Sequence, residues 1–140
     1  MNVEVNYLAV MLSAIASMVI GFIWYSPLLF AKPWMKLMGY TSNSLKEAQK
    51  KMGTNYFLSF VLTLVSAYVL SHVTFLSQYF FKYDKLSTGL ISAFWMWLGF
   101  VMPIQMSDFL FGGKKFKLFA INTGYQLASM IAMGLIIGLM

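Results

Sequence analysis

Polar residues gather in a few short stretches of this chain and leave four long apolar runs between them. These are residues 7–26, 55–76, 89–111 and 116–139, each with no charge or with one near an end. A helix crosses a hydrocarbon core in about 20 residues, at ~1.5 Å per residue. None of the runs alternates with period two for long, and each is about twice the length of a barrel strand, which argues against β-structure. The pattern predicts an all-α, integral membrane four-helix bundle in a single domain, 1–140.

Composition agrees. The 140 residues are 60% hydrophobic and 10% charged, with a mean hydropathy of +0.73, where soluble domains carry about a quarter charged residues. So much apolar surface exceeds what one small globule can hide. All ten basic residues are lysines and the net charge is +6. They lie between the apolar runs rather than along one polar face, which suits loops beside membrane spans and not nucleic acid. There is no cysteine, hence no disulfide framework or thiolate chemistry. Ala14-Ile15-Ala16 resembles a signal-peptidase site, but the run before it has Glu4 and no basic residue, and continues to Tyr25. It reads as a retained span.

Lysine placement sets an orientation. Lys32, Lys36, Lys46, Lys50 and Lys51 lie in the first connection and Lys114, Lys115 and Lys117 in the third, against Lys82 and Lys85 in the second. The first and third connections are expected in the cytoplasm, and both termini outside an inner (cell) membrane. Trp24, Tyr25 and Trp34 are expected as interface anchors, with Pro27 just past the end of the first span. Trp95 and Trp97 read as the outer aromatic belt, with Trp97 able to reach inward.

Within the first connection, Ser44-Leu45-Lys46-Glu47 has capping-box spacing; Leu45, Ala48 and Met52 share a face, and Gly53 is a stop. A short cytoplasmic surface helix is predicted, with Lys46, Lys50 and Lys51 contacting anionic lipid or a partner, or simply solvated.

Ala9, Ser13, Ser17 and Gly21 recur every fourth residue on the first span; Ser59, Thr63, Ala67 and Ser71 do so on the second; Ala120, Gly124, Ala128 and Ala132 on the fourth. Small residues let helix backbones approach closely in lipid. Gly134 and Gly138 form a second small face, for packing within the chain or against another copy. On the third span, the Pro103 ring crowds the carbonyl of Gly99, so a kink is expected there.

Asp108 is the one acid inside a span. Gln105, Asn122, Gln126, Ser26 and Asn55 fall in the same half of the bundle. Lipid cannot satisfy polar groups, so these should face one another or a wet cavity. They form either a polar path with Asp108 as its titratable member, or an interhelical network in which Asp108 pairs with Lys114, Lys115 or Lys117. His72 is read as a hydrogen-bonded interface residue. No second His, Cys or acid completes a metal set, and no phosphate loop or nucleophile motif is present. No metal, cofactor or enzymatic activity is expected.

Set Ser26 on Ser107, and SPLLFAKPWMKL and SDFLFGGKKFKL share Ser, Leu, Phe, Lys and Leu. This fits a tandem duplication of a two-helix unit, or the common needs of two lipid boundaries. Gly21, Trp24-Tyr25-Ser26-Pro27-Leu28-Leu29-Phe30, Lys32 and Trp34-Met35, then Trp97-Leu98-Gly99-Phe100, Pro103, Lys117-Leu118, Ile121-Asn122 and Gly124-Tyr125, resemble the family of domain of unknown function 1761. Those are small four-span bacterial membrane proteins. The resemblance covers nearly the whole chain and implies the fold without an activity. Two functions stay open: solute or ion transport or permeation as a homo-oligomer, and an accessory or structural role binding a partner protein or anionic membrane lipid.

Overall fold

A computed structural model describes residues 2–140. The elements are α1 (Tyr7–Trp24), α2 (Ala31–Met38), α3 (Ser42–Phe81), α4 (Lys85–Met96), a π-helical turn (Trp97–Val101), α5 (Met102–Phe111) and α6 (Phe116–Leu139). Four helices are long and apolar enough to cross a membrane: α1, α3, the continuous rod Lys85–Phe111, and α6. Both α3 and α6 pack along α1 and along α4, so the four rods close a ring.

α1, α3 and α4 bury mostly small residues and expose large ones, whereas α6 also buries Leu118, Ile121, Met130, Met133 and Ile137. α1 buries Ala9, Val10, Ser13, Ala14 and Ser17, and exposes Leu8, Met11, Leu12, Ile15, Val19, Phe22 and Ile23. α3 buries Ala67, Leu70, Ser71 and Thr74 and exposes Phe57, Leu58, Leu62, Val65 and Val69. A helix on a water-soluble domain does the reverse. Apolar belts this continuous suit a lipid solvent, where helices associate by close packing of small side chains.

The closest approach is between α4 and α6. A Cβ built on Gly134 would meet the carbonyl of Gly89 and lie 2.7 Å from Ala93 Cβ, and one on Gly138 would lie 2.8 Å from Leu86 Cα. Gly134 and Gly138 therefore serve packing within the chain rather than a second copy.

The first connection departs most from the sequence pattern. No separate helix ends at Gly53; the expected second span and surface helix are one 40-residue helix, α3. Gly53 sits within it with open space around it. A helical glycine costs only about 1 kcal/mol relative to alanine, and good helix formers on both sides carry the helix through. The start also shifts. Thr41 is the N-cap: the Ser44 N–H donates to Thr41 Oγ1 (3.3 Å) and the Thr41 N–H donates to Ser44 Oγ (2.7 Å). Ser44 is thus the third residue of the helix, not its cap.

The short amphipathic helix lies earlier, at α2. Pro33 occupies its first turn, where no N–H is required, and Gly39 closes it with φ of 72°. Lys32 and Lys36 are exposed, while Ala31 is buried and Trp34 half-buried. α1 ends at Trp24, two residues short of expectation. α4 begins at Lys85, four residues early, because Asp84 caps it by accepting the Ser87 N–H (2.8 Å). The early start adds about 6 Å of helix ahead of Trp95 and sets it about 15 Å into the rod, deeper than an outer belt at the start of the span. The break expected at Gly99 and Pro103 falls at the π-helical turn, where the Met102 N–H reaches back to the Trp97 carbonyl. Widening the ladder there accommodates the proline ring ahead of it.

Candidate functional site

α1 and α6 are joined by a seam of polar contacts that runs their full length. Asn6 Nδ2 donates to the Met140 carbonyl (3.4 Å), Ser13 Oγ to that of Met133 (3.5 Å), and the Ser17 and Ser129 hydroxyls meet. Tyr125 Oη donates to the Ser17 carbonyl (3.4 Å), Trp24 Nε1 to that of Ile121 (3.0 Å), and Tyr25 Oη to Asn122 Oδ1 (3.0 Å). The pairing is antiparallel and brings Asn6 and Met140 to one face, the terminal face. α2 lies at the opposite, loop face.

Toward the loop face the seam is reciprocal. A Cβ on Gly124 would lie 3.1 Å from Trp24 Cζ2, and one on Gly21 would lie 3.2 Å from Tyr125 Oη. Each helix thus offers a glycine to the other's ring. Trp24, Tyr25 and Trp34, expected as lipid-interface anchors, are half-buried and contact neighbouring elements of the fold. A half-buried indole N–H needs an acceptor, and α6 carbonyls provide one. Trp34 packs edge-on to Tyr25 with centroids 5.3 Å apart, holding α2 to the bundle. Trp97 also reaches inward, donating to the Thr123 carbonyl (3.1 Å).

The expected polar set divides. Gln105, Asp108 and Asn122 do come together, around a cavity of about 100 Å³ that Lys114 also lines. Asp108 is paired there with Lys114, the side chains 57% and 45% exposed, which matches the network reading of that residue. Gln105 Oε1 is buried without a partner. Gln126 is half-buried and outside that lining. Ser26 is a local cap: its Oγ donates to the Ile23 carbonyl (2.7 Å) and accepts the Leu28 N–H (3.3 Å). Asn55 is exposed and lines a separate hollow with Lys50 and Lys51. His72 Nδ1 lies 3.0 Å from the Tyr68 carbonyl of its own helix, so it makes no link between helices there.

Pairwise spacing within the sequence could not reveal two further cavities, because their linings combine side chains of α1 and α3 with those of other helices. At the terminal face, a cavity of about 180 Å³ is lined by Glu4, Asn6, Ser71, Thr74, Gln78 and Lys85 among others. Thr74, 1% exposed, has no hydrogen-bond partner for its Oγ1. Toward the loop face, an open cavity of about 220 Å³ is lined by Met18, Gly21, Phe22, Tyr25, Tyr56, Ser59 and Tyr125. Val10, Ala14, Ala67 and Leu70, all buried, seal the crevice between them.

No curated protein and no solved structure matches the chain. A family model does, over residues 8–138, and its description is "Protein of unknown function (DUF1761)". The residues on which the sequence resemblance rests include Gly21, Trp24, Tyr25, Asn122, Gly124 and Tyr125, which are the ones that lock α1 to α6. By a match over nearly its whole length, the chain belongs to the DUF1761 family.

Proposed function

We propose that this protein is a four-helix membrane bundle that moves a small polar or charged solute along the crevice between α1 and α3. The supporting observation is the pair of cavities at opposite ends of that crevice, with the buried waist of Val10, Ala14, Ala67 and Leu70 between them. A buried hydroxyl without a partner at Thr74 is costly in lipid unless a solute or water meets it. Lysine placement puts the loop face in the cytoplasm and both termini outside a cell membrane. Both cavities form within one chain, so the reading does not require the homo-oligomer of the sequence-based expectation. The Ser26 and Ser107 strings leave a tandem two-helix duplication as part of the same proposal.

Proteoliposome swelling with urea, glycine and choline chloride tests it. At least one solute should enter faster than into empty vesicles, and Gln78→Trp, which fills the terminal cavity, should remove the difference. Entry equal to empty vesicles for all three, or unchanged by Gln78→Trp, refutes transport.

The accessory reading keeps one observation in its favour. α3 runs 13 residues ahead of Asn55, from Ser42, which is about 20 Å of helix. Lys46, Lys50 and Lys51 are thereby carried on a rod continuous with the span, presented to an acidic partner or to anionic lipid. Neutralising all three should release such a partner; recovery unchanged by the triple substitution refutes it.

A further inference from the structure

The loop-face cavity carries no ionised side chain, yet four of its seven lining residues are aromatic: Phe22, Tyr25, Tyr56 and Tyr125. A hydrated metal ion or a primary ammonium would lose its water there with no carboxylate to replace it. A purely apolar ligand would leave the phenol oxygens and Ser59 beside it without benefit. A methylated ammonium suits both features. It is weakly hydrated, and its charge is attracted to the electron-rich faces of aromatic rings.

The rings are held before any ligand arrives. Tyr25 Oη is bound to Asn122 and Tyr125 Oη to the Ser17 carbonyl, and Tyr25 and Tyr125 lie edge-on at 5.3 Å. Phe22 and Tyr56 meet across α1 and α3 with centroids 5.0 Å apart. Gly21 leaves the room that the Tyr125 ring occupies. A pre-set site spends little of its affinity on ordering side chains.

We infer that the cavity walled by Phe22, Tyr25, Tyr56 and Tyr125 binds a quaternary ammonium group. That group can belong to a free small cation or to a choline lipid headgroup, since the cavity adjoins the end of α1. The inference rests on the transport reading of this cavity, but its test reads binding and not flux, so either can fail alone.

The protein is placed in nanodiscs of phosphatidylglycerol and titrated with radiolabelled choline by equilibrium dialysis. The competitor is 3,3-dimethylbutan-1-ol, choline's shape with carbon in place of the charged nitrogen. A second preparation contains phosphatidylcholine as well, and retained lipid is counted after detergent washing. Tyr56 is the ring to change, because its hydroxyl holds no helix contact. Saturable choline binding weakened about tenfold by Tyr56→Leu, preserved by Tyr56→Phe and poorly displaced by the uncharged alcohol supports a free cation as ligand. Absence of choline binding, with phosphatidylcholine selectively retained and lost in Tyr56→Leu, supports the headgroup. The inference is overturned if neither is bound, if the alcohol competes as well as choline, or if Tyr56→Leu binds like the parent protein.

Discussion

Gly134→Ala isolates the packing on which the bundle depends. The added methyl would sit 2.7 Å from Ala93 Cβ and closer still to the Gly89 carbonyl, where carbon atoms settle at about 3.5–4.0 Å. α4 and α6 must then separate locally by about 1 Å. A gap of that size forfeits roughly a quarter to a half of each dispersion contact. About 50 contacts at ~0.15 kcal/mol, each losing about a third, amount to ~2.5 kcal/mol, within the usual 1–3 kcal/mol for overpacking. Alanine is also the better helix former by about 0.5–1 kcal/mol, so the net loss should be about 1.5–2 kcal/mol. Gly53→Ala is the matched control. It lies in a helix with nothing within 4 Å, so it should stabilise by the propensity gain alone, ~0.5–1 kcal/mol. Reversible unfolding in mixed detergent micelles, followed by far-ultraviolet circular dichroism, reads both. If Gly134→Ala is as stable as Gly53→Ala, the α4–α6 contact is not as close as described and the argument fails.

Three further outcomes are expected. Ser17→Ala, Ser129→Ala and the double variant should give a coupling energy of about 0.6–1.7 kcal/mol in the same assay; a coupling of zero would mean that the hydroxyls do not meet. Asp108→Asn should change stability by less than about 1 kcal/mol, because its pair with Lys114 is largely exposed, and should leave solute entry unaltered; loss of entry would restore Asp108 to the path. The Ser87 backbone N–H holds the Asp84 carboxyl below its ordinary range. A depressed folded-state value contributes stability above the unfolded value, about pH 4, and that contribution is lost as pH falls through the folded value. Hydrogen exchange at the Ser87 amide should therefore gain protection from pH 3 to 5 in the parent, beyond the intrinsic rate change, and show no such gain in Asp84→Asn.

How much was legible in the sequence follows from the range of each interaction. The four runs stood out because a helix long enough to cross ~30 Å of lipid must be apolar almost throughout to do so. The stripe Ala9, Ser13, Ser17 and Gly21 was visible because helical spacing is local, but its partner on α6 was not. Ser129 pairs with Ser17 only once two helices far apart in the chain are set antiparallel. Gly53 misled because a glycine within a helix and a glycine ending one look alike without the backbone angle; Gly39, with its positive φ, is the one that stops. The α6 partners of Trp24 and Tyr25 were not legible, because aromatics at a span end suit a headgroup layer and a neighbouring helix equally well. Asp108 was placed correctly beside Gln105 and Asn122, and the pairing with Lys114 was among the alternatives that lysine-rich loops offered. The α1–α3 cavities were out of reach, since their linings bring together side chains from helices far apart in the chain and follow from no residue spacing.

The chain has no cysteine, so single cysteines can report access without background. Gln78→Cys lies in the terminal cavity and Ser59→Cys in the tyrosine-lined one. With a membrane-impermeant maleimide, Gln78→Cys should be labelled in intact cells and Ser59→Cys only after permeabilisation. Labelling of both from one side, or of neither until the protein is denatured, would contradict two solvent-open cavities on opposite faces of one crevice.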